Sequence, residues 1–168
     1  MTSLTGQVGI VTGAAVGIGR AICVALAERG ATVVALDVDD VGNRETAAAV
    51  EATGGAVRAL RCDVSIAGEV RAAIAQAVEE FGRIDLLVNN AAVWNDTTLF
   101  GGDYDEQTAA FAASIGSCAL GSFHCAAAVA PIIAHAGGGN IVNLITEHIR
   151  EGRHITGLPA TGYDCAKF

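Results

Sequence analysis

The sequence predicts an α/β protein built on a doubly wound parallel sheet in three α/β/α layers. Short apolar runs alternate with helical stretches, the runs are apolar on both faces, and glycine follows several helical stretches. A strand that is apolar on both faces needs cover on both sides, and alternation with helices favours parallel strands joined by right-handed crossovers. We therefore predict one domain over residues 1–168, with helices on both faces of its sheet.

Five strands and four helices are predicted along the chain. Length, β-branched content and hydrophobic spacing distinguish the two kinds of element. The predicted strands are residues 8–12, 32–37, 56–61, 86–89 and 141–145. The predicted helices are residues 18–29, 41–53, 67–81 and 105–135.

Composition narrows the possible functions. The chain has 168 residues, and the hydrophobic share of 52% with 17% charged residues is typical of a globular protein. A net charge of −8 gives no general attraction for nucleic acid or anionic lipid, so we expect neither as a partner. The odd number of cysteines, without metal-ligand or Cys-x-x-Cys spacing, predicts reduced thiols in a cytoplasmic protein and no metal site. The cysteines are Cys23, Cys62, Cys118, Cys125 and Cys165.

One long stretch leaves a membrane-spanning helix as an alternative. No Asp, Glu, Lys or Arg lies between Gln107 and Thr146, and spanning helices are sought in such stretches. Pro131, the three glycines at 137–139 and many Ser and Ala residues favour a helix buried within protein instead. We expect part of the apolar surface of this helix to pack against a second subunit, and so we predict a homo-oligomer through the 105–135 helix.

Residues 11–20, VTGAAVGIGR, have the features of a phosphate-binding loop. They join the first predicted strand to the first predicted helix, whose N-terminus offers free N–H groups and a partial positive charge. Gly13, Gly17 and Gly19 allow a tight turn, a close approach to a pyrophosphate and close packing of the helix on the sheet. The spacing G-x-x-x-G-x-G is not the common G-x-G-x-x-G, and an ordinary glycine-rich turn remains the alternative.

Asp37, at the end of the second predicted strand, indicates which cofactor is preferred. A carboxylate about twenty residues beyond a glycine loop can accept hydrogen bonds from ribose hydroxyls and repels a 2′-phosphate. Neither Val16 nor Val38 supplies a positive charge for such a phosphate. NAD is therefore favoured over NADP, and the alternative is an aspartate that only begins a loop.

Tyr163 and Lys167 form the candidate catalytic pair. Lys167 is the only lysine of the chain, and it follows one of only two tyrosines by four residues. On a helix this spacing places both side chains on one face, where a cation stabilises a phenolate and favours proton transfer by the tyrosine. The alternative is an exposed pair on a helix surface.

Four motifs, in this order along the chain, resemble the short-chain dehydrogenase/reductase family. TGAAVGIG at 12–19 is similar to its cofactor loop, and CDV at 62–64 to its adenine-binding step. NNAA at 89–92 is similar to its Asn-Asn-Ala-Gly segment, and YDCAK at 163–167 to its Tyr-x-x-x-Lys pair. The resemblance implies a Rossmann-type fold and NAD-dependent interconversion of a secondary alcohol and a ketone by hydride transfer. The residues it implies for the cofactor are Gly13, Val16, Gly17, Ile18, Gly19, Asp37, Asp63, Val64, Asn90, Tyr163 and Lys167.

The same resemblance implies the catalytic roles. Tyr163 is the general acid/base, and Lys167 holds the nicotinamide ribose and favours the phenolate. Thr146 stands where the family has a serine that positions the substrate oxygen. Cys118 stands where it has an asparagine associated with a proton relay through water.

Family members continue well beyond the Tyr-x-x-x-Lys pair, whereas this sequence stops at Phe168. We therefore expect much of the substrate pocket to be missing and the fifth strand to be an unpaired sheet edge. A non-catalytic nucleotide-binding fragment or interaction subunit is the alternative function. The residues that would select a substrate are mostly absent, so the sequence predicts no particular alcohol or ketone.

Overall fold

The computed structural model describes residues 3–94, 102–146, 163, 166 and 167. Within them, five parallel strands form a sheet in the order β3-β2-β1-β4-β5. The strands are β1 Val8–Thr12, β2 Thr32–Asp37, β3 Ala56–Arg61, β4 Leu86–Asn89 and β5 Asn140–Asn143. The helices are α1 Gly17–Ala27, α2 Asp40–Ala52, α3 Ala67–Phe81, α4 Tyr104–Ser114 and α5 Gly121–His135, with a π-helical segment at Ile115–Leu120. The predicted doubly wound parallel sheet is confirmed.

Two apolar cores cover the two faces of the sheet. On one face α1 and α2 bury Cys23, Ala27 and Val50 against the strands. On the other face α3 and α5 bury a second set that includes Val70 and Val129. Both faces of the central strands are thus shielded from water, as their continuous apolar sequences require.

Strand β1 lies at the centre of this arrangement. All five of its residues are buried, and it pairs with β2 on one side and β4 on the other. Strand order reverses between β1 and β4, which is where open parallel sheets place a ligand crevice beyond the carboxyl ends of their strands. The glycine loop follows β1 directly at this point.

The ends of several elements differ from the sequence prediction. Helix α1 begins one residue earlier and ends two residues earlier than predicted, and α2 begins at Asp40 because the Asp39 carboxylate accepts hydrogen bonds from the N–H groups of Val41 and Gly42. Strand β5 was predicted at 141–145 but is found at Asn140–Asn143. The Asn140 N–H already bonds to the Asp85 carbonyl, which brings the strand forward by one residue.

The predicted helix at 105–135 is found as α4, the π-helical segment and α5 in succession. The continuous Tyr104–His135 run is long and apolar enough to cross a membrane by length and composition alone. Core helices also meet that criterion, and α5 buries Cys125, Val129 and Ile133 against the protein's own core. The run is therefore at least in part a core helix.

Candidate active site

The glycine loop after β1 is a turn that other side chains would obstruct. Gly13 and Gly17 have φ angles of 64° and 59°, in the left-handed region that favours glycine. A Cβ on Gly19 would overlap the Gly13 carbonyl oxygen, and one on Gly13 would lie 2.8 Å from the Ala91 Cα. Two of the three motif glycines are thus required by close backbone packing.

The chain after β4 holds the loop from one side. The Thr12 hydroxyl oxygen accepts hydrogen bonds from the N–H groups of Asn90 and Ala91, each at 3.0 Å. The Asn90 side-chain amide in turn donates to the carbonyls of Thr12 and Gly13, also at 3.0 Å. Asn90, predicted to bind the cofactor, thus holds the glycine loop through these two carbonyls.

Residues of α1 and α2 hold the loop from the other side. The Thr46 hydroxyl donates to the Ala14 carbonyl at 2.8 Å. The Arg20 Nε donates to the Ala15 carbonyl and to Thr46, and its guanidinium pairs with Glu45 at 2.9 Å. The sequence did not single out Thr46 or Arg20, and only the position of Arg20 directly after the glycine motif hinted at its role.

The N-terminus of α1 is open. Val16 is the N-cap residue and makes no side-chain capping bond, and Val16 and Ile18 are 72% and 64% exposed. A Cβ on Gly17 would meet nothing within 4 Å. The first-turn N–H groups thus face a space that suits a pyrophosphate.

A cavity of about 340 Å³ lies beside the loop, at the carboxyl ends of the strands. Asp37 lines it and is fixed in place, because its Oδ2 accepts from the Ala15 N–H at 2.8 Å and its Oδ1 from the Asp39 N–H at 2.9 Å. The predicted residues Gly13, Asp37, Asp63 and Val64 all line this cavity. The structure therefore brings together the residues expected for one half of a dinucleotide.

The π-helical segment forms the far wall of the cavity and fixes the chain after β4. The Ser117 hydroxyl oxygen accepts a hydrogen bond from the Val93 N–H at 3.0 Å, and the Ser114 hydroxyl donates to the Val93 carbonyl at 3.2 Å. Cys118, next to Ser117, is only 2% exposed. A π-helical turn inside an α-helix frequently marks a functional site.

Tyr163 and Lys167 lie one helical turn apart, since the Lys167 N–H donates to the Tyr163 carbonyl at 3.0 Å. Lys167 is 6% exposed. Burial lowers the pKa of its ammonium group, and electrostatic interaction with the neighbouring Cys118 side chain partly offsets this by raising that pKa. The Tyr163 ring packs on Trp94, with ring centroids 5.0 Å apart, which places the tyrosine beside the chain that follows β4.

Thr146 follows β5 at the same edge of the sheet and is half-buried. The end of β5 is tied to β4, because the Asn89 side-chain amide donates to the Asn143 Oδ1 at 2.8 Å. Residues 147–162 lie outside the described part of the chain.

The described cysteines are all free and buried: Cys23, Cys62, Cys118 and Cys125. Burial raises the pKa of Cys23 and Cys125 to about 12 and that of Cys62 to about 11. These three thiols stay protonated and unreactive at neutral pH. Cys165 lies outside the described part of the chain.

Known proteins resemble this chain in sequence and in fold. A family model described as short chain dehydrogenase matches residues 7–167. The D-threitol dehydrogenase of Mycolicibacterium smegmatis is 38% identical over 144 residues, which are 86% of this chain and 54% of that protein.

Two solved structures superpose closely. NAD+-bound xylitol dehydrogenase has a TM-score of 0.87 at 28% identity, over 98% of this chain and 60% of that one. A metagenomic short-chain oxidoreductase in complex with NADP has a TM-score of 0.85 at 30% identity, over 99% of this chain and 72% of that one. The chain spans about half the length of the curated relatives it matches. On its sequence and its fold, the chain belongs to the short-chain dehydrogenase family.

Proposed function

We propose that the protein is an NAD-dependent oxidoreductase that interconverts a secondary alcohol and a ketone, with residues 1–168 as its dinucleotide-binding domain. One observation carries the proposal. An open helix N-terminus, a cavity lined by Asp37 and the Tyr163–Lys167 pair are all found at the carboxyl edge of the sheet. Relatives named for threitol and xylitol support an alcohol as substrate.

The residues present fit a dinucleotide. The first-turn N–H groups of Gly17, Ile18 and Gly19 would bind the pyrophosphate, with Val16 beside it. Asp63 and Val64 would line the adenine site, while the Asp37 carboxylate would accept hydrogen bonds from the adenosine ribose. NAD, when bound, supplies the hydride acceptor or donor.

Preference for NAD over NADP is supported by the same cavity. The Asp37 carboxylate would repel a 2′-phosphate, and the exposed Val38 beside it carries no charge. The Arg20 guanidinium is already engaged by two carbonyls and Glu45. Relatives include both NAD and NADP complexes, so the preference must come from residues such as Asp37 rather than from the fold.

Proton transfer is assigned to Tyr163. Its phenolate would take the proton from the substrate hydroxyl, or its phenol would return a proton to the carbonyl. Lys167 would stabilise the phenolate and bind the nicotinamide ribose. Burial of this lysine supports the assignment, since a buried ammonium group gains from an anionic neighbour more than an exposed one does.

Thr146 and Cys118 complete the proposed site. The Thr146 hydroxyl would position the substrate oxygen. Cys118 occupies the place of the family's relay asparagine, and a thiol is a poor substitute for an amide as a hydrogen-bonding group. Any proton relay in this protein would therefore use backbone groups or water at that point.

A homo-oligomer of cytoplasmic subunits is part of the proposal. Helix α4, the π-helical segment and α5 expose the apolar side chains of Phe111, Leu120 and Phe123, the last of them 66% exposed. A second copy of the chain would cover this face. Sedimentation at increasing concentration tests it, and a folded monomer throughout would contradict it.

The substitution Tyr163→Phe tests the proposed reaction. It keeps the ring but removes the transferable proton, so turnover should fall by about 10²- to 10⁴-fold while NADH binding changes little. The matched control is Tyr104→Phe, because Tyr104 is the other tyrosine and is 77% exposed. Turnover is measured in a form of the protein that continues beyond Phe168, because residues 1–168 are expected to lack much of the substrate pocket. Wild-type turnover in Tyr163→Phe would contradict the mechanism, and NADH binding without any turnover in the unaltered longer form would favour the non-catalytic alternative.

A further inference from the structure

Trp94 is the only tryptophan of the chain, and it packs on the candidate acid/base. The two ring centroids lie 5.0 Å apart and the ring planes are inclined by 60°. That geometry is within the range of favourable tilted aromatic pairs. Trp94 is nevertheless 48% exposed, so part of the indole contacts Tyr163 while another part faces solvent.

The backbone that carries Trp94 is held in place. Val93, the preceding residue, accepts a hydrogen bond from Ser114 and donates one to Ser117. Both serines lie in or beside the π-helical segment that lines the cofactor cavity. A change in that helix would therefore move the indole, and with it the ring of Tyr163.

We propose that Trp94 is a positioning residue for Tyr163 and that its exposed face forms an apolar wall of the substrate site. The proposal rests on the proposed role of Tyr163. Contact with the indole limits sideways movement of the whole tyrosine side chain and so holds its hydroxyl in one place. Correct orientation of a catalytic group is worth a large part of a rate enhancement.

The exposed face of the indole also restricts the class of substrate. It is flat, uncharged and mostly apolar, so it suits the carbon skeleton next to the reacting hydroxyl. A secondary alcohol or ketone with an apolar ring or chain would gain from this contact. A polyol with hydroxyls on both sides of the reacting carbon would gain less.

Kinetics of Trp94→Ala and Trp94→Phe test the proposal, with cyclohexanol and xylitol as probe alcohols and NAD as cofactor. Trp94→Ala should raise KM for cyclohexanol about 5- to 10-fold, the effect expected from losing one aromatic contact, and lower kcat as well. Trp94→Phe should keep both KM for cyclohexanol and kcat close to their wild-type values. NADH affinity, measured by calorimetry, should stay within about twofold, and Tyr104→Ala is the control for loss of an exposed aromatic residue. Unchanged kinetics in Trp94→Ala, or equal losses in Trp94→Phe, would overturn the proposal.

A second readout does not depend on turnover. Because Trp94 is the only tryptophan, the intrinsic tryptophan emission of the chain reports on this position alone. NADH should quench the tryptophan emission by energy transfer. In the presence of NADH, saturating cyclohexanol should shift the wavelength of the emission maximum. NADH binding in calorimetry with no quenching, or no shift with cyclohexanol, would place Trp94 away from the reacting groups and refute the wall. If Tyr163→Phe abolishes turnover while Trp94→Ala behaves as wild type, only the Trp94 proposal fails; if Tyr163→Phe stays active, the proposed function fails.

Discussion

The glycine loop and the Tyr163 region lie at the same sheet edge but are held in different ways. The loop follows a fully buried strand and is bonded through its backbone to Leu36, Asn90 and Thr46. Tyr163 packs on a half-exposed indole, and the neighbouring strand β5 is exposed at all four residues. The proposed cofactor half of the site is thus held by bonds to the loop backbone, and the proposed catalytic half includes a contact between two side chains.

This difference predicts how each half responds to substitution. The loop is bonded from both sides, and its glycines Gly13 and Gly19 are in close contact with neighbouring backbone or side-chain atoms. A methyl group added at either of these glycines should therefore displace the loop and abolish tight cofactor binding. Side-chain contacts such as that of Trp94 with Tyr163 can be weakened in steps.

Strand β5 has β4 as its neighbour on one side, and its exposed Ile141 and Val142 form an edge that another strand or chain could cover.

Gly19→Ala should have the largest effect on the cofactor half. Its Cβ would overlap the Gly13 carbonyl oxygen and lie 2.7 Å from the Asn90 side-chain nitrogen. The loop must therefore shift, and NADH affinity should fall by about 100-fold or more, the loss expected when several backbone hydrogen bonds to an anion are misplaced. Calorimetric titration with NADH measures this.

Gly68→Ala is the matched control for that experiment. Gly68 lies in the first turn of α3, and a Cβ there would meet nothing within 4 Å. Alanine should raise helix stability slightly and leave NADH affinity unchanged. Equal binding by Gly19→Ala and Gly68→Ala would show that the loop is not rigid, and would remove the contrast between the two halves.

Asp37→Ala should have an intermediate effect that sharpens the same contrast. Removing the carboxylate takes away both the ribose acceptor and the charge that repels a 2′-phosphate. The preference for NADH over NADPH should narrow by about tenfold, through weaker NADH binding and stronger NADPH binding. Competition titrations with the two cofactors measure it, and equal affinities in the unaltered protein would contradict the predicted preference.

The sequence predicted the cofactor half more completely than the catalytic half. Strands β1 to β4 were predicted with their observed bounds, because each is a short and mostly apolar run ended by glycine or polar residues. The glycine spacing likewise identified Gly13 and Gly19, whose close contacts leave no room for a side chain. Both the strand bounds and the glycine spacing are patterns of residues that are near one another in the chain, although the contacts that require the glycines are not.

What the sequence did not predict depends on contacts between distant residues. The π-helical segment interrupts a stretch whose composition is typical of one continuous helix. Ser117 in this segment and Ser114 just before it bond to Val93, which lies earlier in the chain. The packing of Trp94 on Tyr163 has no periodic pattern that would reveal it. Such pairings become visible only once the sheet order is known.

The smallest effect on the site is expected at the opposite end of the sheet, at Asp85. Its carboxylate accepts hydrogen bonds from Val8 and from the Arg83 guanidinium, at 2.9 Å and 2.6 Å. The bonds from Arg83 lower the pKa of Asp85 below its usual value of 3.8, although burial opposes this. Asp85→Asn should cost about 1–3 kcal/mol of unfolding free energy at pH 7, typical of losing charged hydrogen bonds, while leaving NADH affinity unchanged.

The pH dependence of that cost follows from the direction of the shift. A carboxyl group whose pKa is lower in the folded protein stabilises the fold fully above its unfolded pKa, and this stabilisation is lost as the pH falls through the folded value. The difference between wild type and Asp85→Asn should therefore be constant from pH 7 to about 5 and shrink below about 4. Urea unfolding at several pH values measures it. A difference that grew in acid would contradict the assignment, and a loss of NADH affinity at pH 7 would show that the two ends of the sheet are coupled.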